Sequence, residues 1–464
     1  MKILVANLPS FKGKKFIKEG RCSQSKKIWN TIWPPYSLVS IAAVLEKLSH
    51  EVKIFDYPAM KSREADFFSF IRGFSPEVVI ASCTTPTVYD DLEACLKIKQ
   101  ILPGTKIIIF GIHGSIFSQA LLKQHAFIDF IIRGEPEYTI RELIEALSGN
   151  QKVKFENIKG ISFRFQGEII KNQDRELITN LDDLPIPAWH LVDVKRYKLP
   201  ILGKPYLMIV PGRGCVDKCL FCYAHAYYGQ KNRRHSVRRV INEIVFNKKE
   251  FKIDHFFFWT ENCTQDRKFL MDLLDQMIEL NLNVKWACNS RVDTIDFELL
   301  HKMKIAGCLI VAFGVESGEQ RILDISKKNI NLKQIENAFY LTHKAGIQSI
   351  ANCMFGLPGE TIKSMKKTMK FLKKINPTYA QFYMAVPRPG SEFYELAQKE
   401  GWIQTNDWGK FHQGDYVLNI NGLSRDDIVN FRKRAGILFY LDFKRLAGIL
   451  INLFKAFFRG RQKA

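Results

Sequence analysis

The stretch YLMIVPGRGCVDKCLFC, residues 206–222, joins an apolar run to a glycine turn and to three cysteines in C-x3-C-x2-C spacing: Cys215, Cys219 and Cys222. The run reads as a strand, PGRG as the turn that ends it, and the triplet as a loop at the strand's carboxyl end. Three thiolates on one tight loop can hold three irons of a 4Fe-4S cluster and leave the fourth iron without a protein ligand. A zinc knuckle completed by His225 is the competing reading, but zinc sites of this kind use C-x2-C pairs with a second half-site, and none follows. The other seven cysteines, Cys22, Cys83, Cys95, Cys263, Cys288, Cys308 and Cys353, stand alone and mostly within apolar strands, and they read as core.

Outward from the triplet, HFFFWT, VKWACN, CLIVAFG, QSIANCMFG and YAQFYMAV each precede a helical pattern. With YLMIVP they make six β-α units over residues 201–400. Six units instead of eight predict a partial (β/α)6 barrel of the TIM type, with its chemistry at the carboxyl ends of the strands. Residues 1–150 alternate in the same way through KILVAN, EVKIFD, EVVIASC, KIIIFG and FIDFIIRG, which predicts an α/β, doubly wound, Rossmann-like sheet. Its ligand loops are Ser82 to Thr85, Gly111 to Ser115 and Gly134 to Glu137. The loop after KILVAN has no G-x-G-x-x-G turn, so a dinucleotide is disfavoured. Residues 151–200 form a connector, a hairpin in GISFRFQGEIIKN followed by the proline-rich LDDLPIPAW. Residues 401–464 are a helical region that starts a helix at a capping box, Ser424 to Asp427, and ends in a basic amphipathic tail.

The 464 residues are 46% hydrophobic and 25% charged, the profile of a multidomain folded chain. Lys and Arg outnumber Asp and Glu by 69 − 47 = 22, a positive field that draws anionic ligands, nucleic acid or anionic lipid. The start, MKILVANLPS, lacks a signal peptide's features. No run approaches the ~18 apolar residues of a membrane span, and a cytoplasmic protein is expected. In the tail, Phe439, Phe443, Leu446, Leu450, Phe454 and Phe457 recur at helical spacing beside Lys444, Arg445, Lys455, Arg459, Arg461 and Lys463, which fits peripheral contact with the inner face of an anionic membrane or a terminal helix packed on the barrel.

CVDKCLFC, with an aromatic residue before its last cysteine, resembles the signature of radical S-adenosylmethionine enzymes. PYSLVSIAAVLEK, RGEPEYTIRELIEAL, LDDLPIPAW, WACNSRVD, AGCLIVAFGVESG, GIQSIANCMFGLPGET and PRPGS are similar in content and order to the cobalamin-binding subgroup of that family. The resemblance covers the chain to about residue 440. It implies an N-terminal cobalamin domain, a 4Fe-4S cluster held by Cys215, Cys219 and Cys222, and S-adenosylmethionine at the open iron. Reductive cleavage then gives a 5′-deoxyadenosyl radical, and cobalamin presents a methyl group to the substrate radical. Arg291, Glu316 and Ser290 are implied adenosylmethionine contacts, with Glu261 near its amino group. Thr84, Thr85, Gly111, His113, Gly114, Gly134 and Glu135 are candidates for holding cobalamin. The D-x-H-x-x-G motif of classical cobalamin domains does not occur, as in many radical members of the family, and His113 is read as a hydrogen-bonding residue in that set and not as a cobalt ligand. Glu360 reads as compensation for a helix dipole. Tyr383 and Arg388 are candidate substrate contacts, and Tyr223, Tyr227 and Tyr228 could shield the cluster.

These features imply an anaerobically working cobalamin-dependent methyltransferase acting on an unactivated carbon or a phosphinate phosphorus of a small or lipid-like molecule, with flavodoxin or ferredoxin as electron donor. The alternatives are oxidative cyclisation or ring rearrangement without methyl transfer, methylthiotransfer, and a nucleic-acid-binding metalloprotein. The third lacks a further cysteine triplet. The fourth would need a basic stripe with interleaved aromatics, and KNRRHSVRR is the nearest approach.

Overall fold

The computed structural model describes residues 1–441 apart from residues 12, 14–15, 20–23, 26–31, 61–62, 151, 201 and 421. The amphipathic tail, residues 442–464, and Cys22 lie outside the described residues.

The first sheet alternates strands and helices: β1 (Lys2–Asn7), α1 (Tyr36–Glu46), β2 (Glu51–Asp56), α2 (Glu64–Phe74), β3 (Val78–Ser82), α3 (Val88–Ile101), β4 (Lys106–Phe110), α4 (Ile112–Gln124), β5 (Phe130–Ile132) and α5 (Pro136–Leu147). The order β2-β1-β3-β4-β5 is parallel throughout. Period-two alternation sends Leu4, Ala6, Val79, Ile107 and Ile109 to one face, where α2, α3 and α4 cover them. Ile3, Val5, Ile80, Ile108 and Phe110 go to the other face, beneath α1 and α5. Strands covered on both faces are apolar at almost every position, as a parallel sheet requires.

The connector hairpin belongs to this sheet. Its strands β6 (Ile161–Phe165) and β7 (Glu168–Lys171) continue the sheet antiparallel from β5, with Ile132 opposite Ile161 and Phe130 opposite Phe163. Arg133, only 5% exposed, pins the join by donating to Ser162 Oγ at 2.6 Å and pairing with Asp174 at 2.8 Å. An uncovered β5 would otherwise be an open edge.

The second sheet runs β8 (Leu207–Ile209), then, after the short antiparallel pair β9 (Gly212–Arg213) and β10 (Arg233–Arg234), β11 (His255–Phe258), β12 (Lys285–Ser290), β13 (Cys308–Glu316), β14 (Gln348–Phe355) and β15 (Tyr379–Met384). All six long strands are parallel and each pairs with the next in sequence. Between β9 and β10 lie the cysteine loop and α6 (Ala224–Tyr228). The crossovers are α7 (Val237–Phe251), α8 (Arg267–Glu279), α9 (Phe297–Ile305), α10 (Gln320–Ile325) with α11 (Leu332–Lys344), and α12 (Ile362–Ile375). Side-chain caps start most of them, among them Ser236, Asp266, Asp296, Asn331 and Thr361. After β15 come α13 (Glu392–Lys399) and α14 (Arg425–Tyr440). The Ser424 box opens α14: Ser424 Oγ accepts from Asp427 N–H and Asp427 Oδ2 from Ser424 N–H. α14 covers the free edge of β15. Arg432 Nε donates to the Phe382 carbonyl at 2.8 Å, and the Tyr440 hydroxyl serves both the N–H and the carbonyl of Ala380. Among the described residues no helix is long and apolar enough to cross a membrane.

The two sheets meet at their carboxyl ends through four buried charges. Arg233 grips Glu135 with both terminal nitrogens, at 2.8 and 3.0 Å, and Arg213 reaches Glu135 at 3.1 Å and Glu137 at 2.5 and 3.2 Å. The glutamates flank Pro136 at the start of α5, and the arginines sit on β9 and β10, the two stems of the cysteine loop. Each side chain is 8% exposed or less. Burial would raise the Glu137 carboxyl, but Arg213 outweighs it and holds the group below its ordinary value.

Two outcomes follow for urea and thermal unfolding. Glu137→Gln leaves Arg213 short of a counter-charge and is expected to cost ~3–5 kcal/mol. Because the folded carboxyl is depressed, its stabilisation is present above the unfolded carboxyl range and is lost as pH falls through the folded value, so the variant should have a shallower acid limb. Glu360 behaves oppositely. It is fully buried, accepts N–H bonds from Gly356 at 2.6 Å and Leu357 at 3.2 Å, and is pushed by burial up to about 8. It precedes the α12 cap Thr361, so it closes the Gly356 turn instead of compensating the helix dipole. Stability should fall as pH rises from the ordinary carboxyl range to about 8, and Glu360→Gln should flatten that fall and melt higher at alkaline pH.

Candidate active site

The cysteine loop leaves β9 at Gly214, whose φ is +90° and where a Cβ would lie 2.1 Å from the Lys231 carbonyl oxygen, so no other residue fits. Its N–H donates to Glu261 at 3.0 Å. The loop is tied down by Leu220, which is 3% exposed, donates to the Ser326 carbonyl and accepts from Phe393 N–H. Cys222 N–H closes a turn on the Cys219 carbonyl at 3.0 Å. Cys215, Cys219 and Cys222 are half-buried, whereas the other six described cysteines are buried. The His225 ring bonds the Asp217 carbonyl, and among the described residues no three His, Cys, Asp or Glu side chains converge on a single-ion site. Three thiols on one loop match the donor set that a cluster with one open iron requires.

Strand ends converge on this loop. β13 shifts register between Gly314 and Glu316, and Glu316 takes φ +59° to turn its carboxylate onto Lys328 at 2.9 Å. A Cβ on Gly314 would stand 2.6 Å from Glu316 Oε1 and 2.7 Å from Lys328 Nζ, so that glycine makes room for the pair. Burial opposes the charge of Lys328, yet Glu316 and Cys219 outweigh it and its pKa is raised. The Cys219 thiol is pushed up by burial while Lys328 and Arg291 pull it down. Arg291 clasps Asp293 at 2.8 and 2.7 Å and lies 3.4 Å from Asp217. Two cations beside the thiols suit the negative charge of a thiolate-bound cluster.

Ser290 is 5% exposed and donates to the Arg291 carbonyl, so it ties strand ends together with Asn262 and Thr264. Glu261 lines a small cavity at the junction of the two sheets, shared with Glu19, Tyr36, Arg213, Tyr228 and Trp259. Trp33 packs edge-on against Trp259 at 4.7 Å and walls this side. Along the barrel's inner face Asn289, Asn352, Gln381 and Tyr383 are half-buried, while their strand neighbours Cys288, Cys353 and Phe382 are buried against the helices.

The residues expected to hold cobalamin divide. Gly134, at φ +72°, opens on free space, and its N–H donates to Ser115 Oγ at 3.1 Å. Gly111 makes room for the Cys83 carbonyl, 2.6 Å from where its Cβ would be, and Gly114 lets α4 press on Ile109 and Ile131. The Thr84 hydroxyl meets Thr87, and Thr85 meets the His113 ring at 3.3 Å. His113 is 2% exposed, packed between Phe117, tilted at 4.8 Å, and Trp408, edge-on at 5.5 Å, and held neutral by burial, which lowers it to about 4. Glu135 departs from its expected place: its carboxylate is spent on Arg213 and Arg233. Of this set, Gly134 is the position that leaves open space beside the backbone, as the close approach of a bulky ligand needs.

Lys328 and the Arg213–Arg233 pair were not singled out by sequence reasoning. The signals were present in Gly314 and in GRG around Arg213, but their meaning depends on partners distant in the chain.

A family model described as the Radical SAM superfamily matches residues 209–372, and one described as a B12 binding domain matches residues 30–144. The chain is 31% identical to an uncharacterized methyltransferase of Pyrococcus horikoshii over 90% of both chains. It is 26% identical to an anaerobic magnesium-protoporphyrin IX monomethyl ester cyclase of Rubrivivax gelatinosus, over 86% of this chain and 72% of that one. Its fold matches the radical S-adenosylmethionine methyltransferase TsrM of Kitasatospora setae with a TM-score of 0.69 at 16% identity, covering 87% of this chain and 76% of that one. With both family models in this order and a relative aligned over nearly its whole length, the chain belongs to the cobalamin-binding radical S-adenosylmethionine enzymes.

Proposed function

We propose that the chain is a cobalamin-dependent radical methyltransferase acting on an unactivated carbon, or a phosphinate phosphorus, of a small molecule. The observation that carries this reading is the meeting of two carboxyl-end faces: Glu135 and Glu137, beside the open Gly134 of the first sheet, pair with Arg213 and Arg233 on the stems of the half-buried thiol loop of the second. When bound, the cluster with S-adenosylmethionine supplies a 5′-deoxyadenosyl radical, and cobalamin supplies the methyl group. In this reading Cys215, Cys219 and Cys222 bind the cluster, Glu261 holds the loop's entrance, and Lys328 and Arg291 offset the cluster's charge. Glu316 and Arg291 line the adenosylmethionine position. Trp33, Phe257 and Trp259 exclude water from the cavity.

Oxidative cyclisation is the second reading, favoured by the likeness to the Rubrivivax cyclase. An external one-electron donor such as flavodoxin or ferredoxin and a cytoplasmic location complete the proposal. Peripheral membrane contact would rest on residues 437–464, and vesicle flotation of full-length and shortened chains reads it directly.

Anaerobic reconstitution with iron, sulfide and hydroxocobalamin should give about four irons and one cobalt per chain. A Cys215, Cys219, Cys222 triple Ala variant should lose the iron and keep the cobalt, and zinc in place of iron would sink the reading. Once a substrate is in hand, methyl-deuterated adenosylmethionine should pass its label to the product; an unlabelled, dehydrogenated product would establish cyclisation.

A further inference from the structure

Six Lys or Arg residues are buried among the described residues: Arg133, Arg213, Arg233, Arg291, Lys328 and Arg388. Five are in ion pairs with carboxylates. Arg388, 8% exposed, is in none, and its buried Nη2 has no hydrogen-bond partner. Its guanidinium instead lies 5.2 Å from the ring of Tyr223, the residue after Cys222. A buried charge without a counter-charge is costly, and a guanidinium presents a planar fork matched to oxyanions.

The position of Arg388 narrows what the missing anion is. It sits in the PRPGS loop at the end of β15. Two residues on, Gly390 makes room for Ile116 of α4 and Ala226 of α6, whose atoms lie 2.9 and 3.1 Å from its would-be Cβ. The loop is thus wedged between the first domain and the helix that follows the cysteines, on the path between the two carboxyl-end faces. Lys328, by contrast, stands on the barrel side beside Cys219. A methyl acceptor has to lie between the two faces.

We propose that Arg388 is the subsite for an oxyanion, a carboxylate or phosphoryl group, carried by the methyl acceptor. The substrate is then an anionic molecule whose reacting position lies a short distance from that group. This deepens the methyltransferase reading and rests on it. The net charge of +22 supplies a field that draws such a molecule in.

The test compares wild type with Arg388→Met and Arg388→Lys. In ligand-free protein, Arg388→Met should melt no lower than wild type, because it removes an unmet charge. Titration with inorganic phosphate, methylphosphonate and acetate should stabilise wild type saturably through at least one of these probes; Met should abolish that response and Lys weaken it. Phosphate or methylphosphonate alone acting marks a phosphoryl substrate, and acetate alone a carboxylate. In reconstituted protein the affinities for adenosylmethionine and for hydroxocobalamin should change less than twofold. A drop of the melting temperature in Arg388→Met with an unchanged anion response would overturn the proposal. So would a tenfold loss of adenosylmethionine affinity, or a loss for hydroxocobalamin absent with cobinamide, which lacks the tail phosphate. Failure of wild type to take up iron and cobalt would instead overturn the methyltransferase reading, and the anion titration, done without cofactors, remains readable by itself.

Discussion

Everything at the centre of this molecule depends on the buried quartet Glu135, Glu137, Arg213 and Arg233. Taking four charges out of water is expensive, and apolar residues of the same volume would hold two domains together at least as well. What a bidentate arginine adds is direction. The two stems of the cysteine loop each carry one of the arginines, and both glutamates sit at the first turn of one helix. The loop therefore has one register against the first domain, and the distance between the two cofactor faces is set by hydrogen-bond lengths rather than by the looser fit of side chains in a core.

The barrel end applies the same economy in reverse. Most of its cations are neutralised internally, so the local field is fixed before any ligand arrives, and preorganised charge of this kind is what a site needs where charge will develop. Glu316 illustrates the cost. It accepts a left-handed backbone, uncommon for a residue with a side chain, because the register shift at Gly314 brings its carboxylate onto Lys328. Strain and a glycine together place one ion pair beside a cysteine.

Much of this was legible in the sequence because the signals are local. Six β-α units, the doubly wound half, the Ser424 capping box and the C-x3-C-x2-C triplet are all patterns of residues close in the chain. What was not legible depends on distant partners. The hairpin after α5 looks like a connector until β5 is seen to need covering. Glu135 looks like a ligand-loop carboxylate until Arg213, seventy-eight residues away, takes it. Glu360 has the spacing of a dipole-compensating residue, but the helix starts later than the spacing implies and the carboxyl turns inward. Lys328 is one of two adjacent lysines, and only Gly314 betrays which of them faces inward.

The way α14 finishes the barrel has a consequence in time. The backbone of β15 points groups away from β14, and those groups are satisfied by Arg432 and Tyr440. A ribosome makes residues 425–440 after every strand of the sheet, so during synthesis the sheet is assembled with one bare edge and is sealed last. For that interval the nascent chain offers a template for strand addition, and cells making this protein quickly, or in excess, would meet their quality-control burden there.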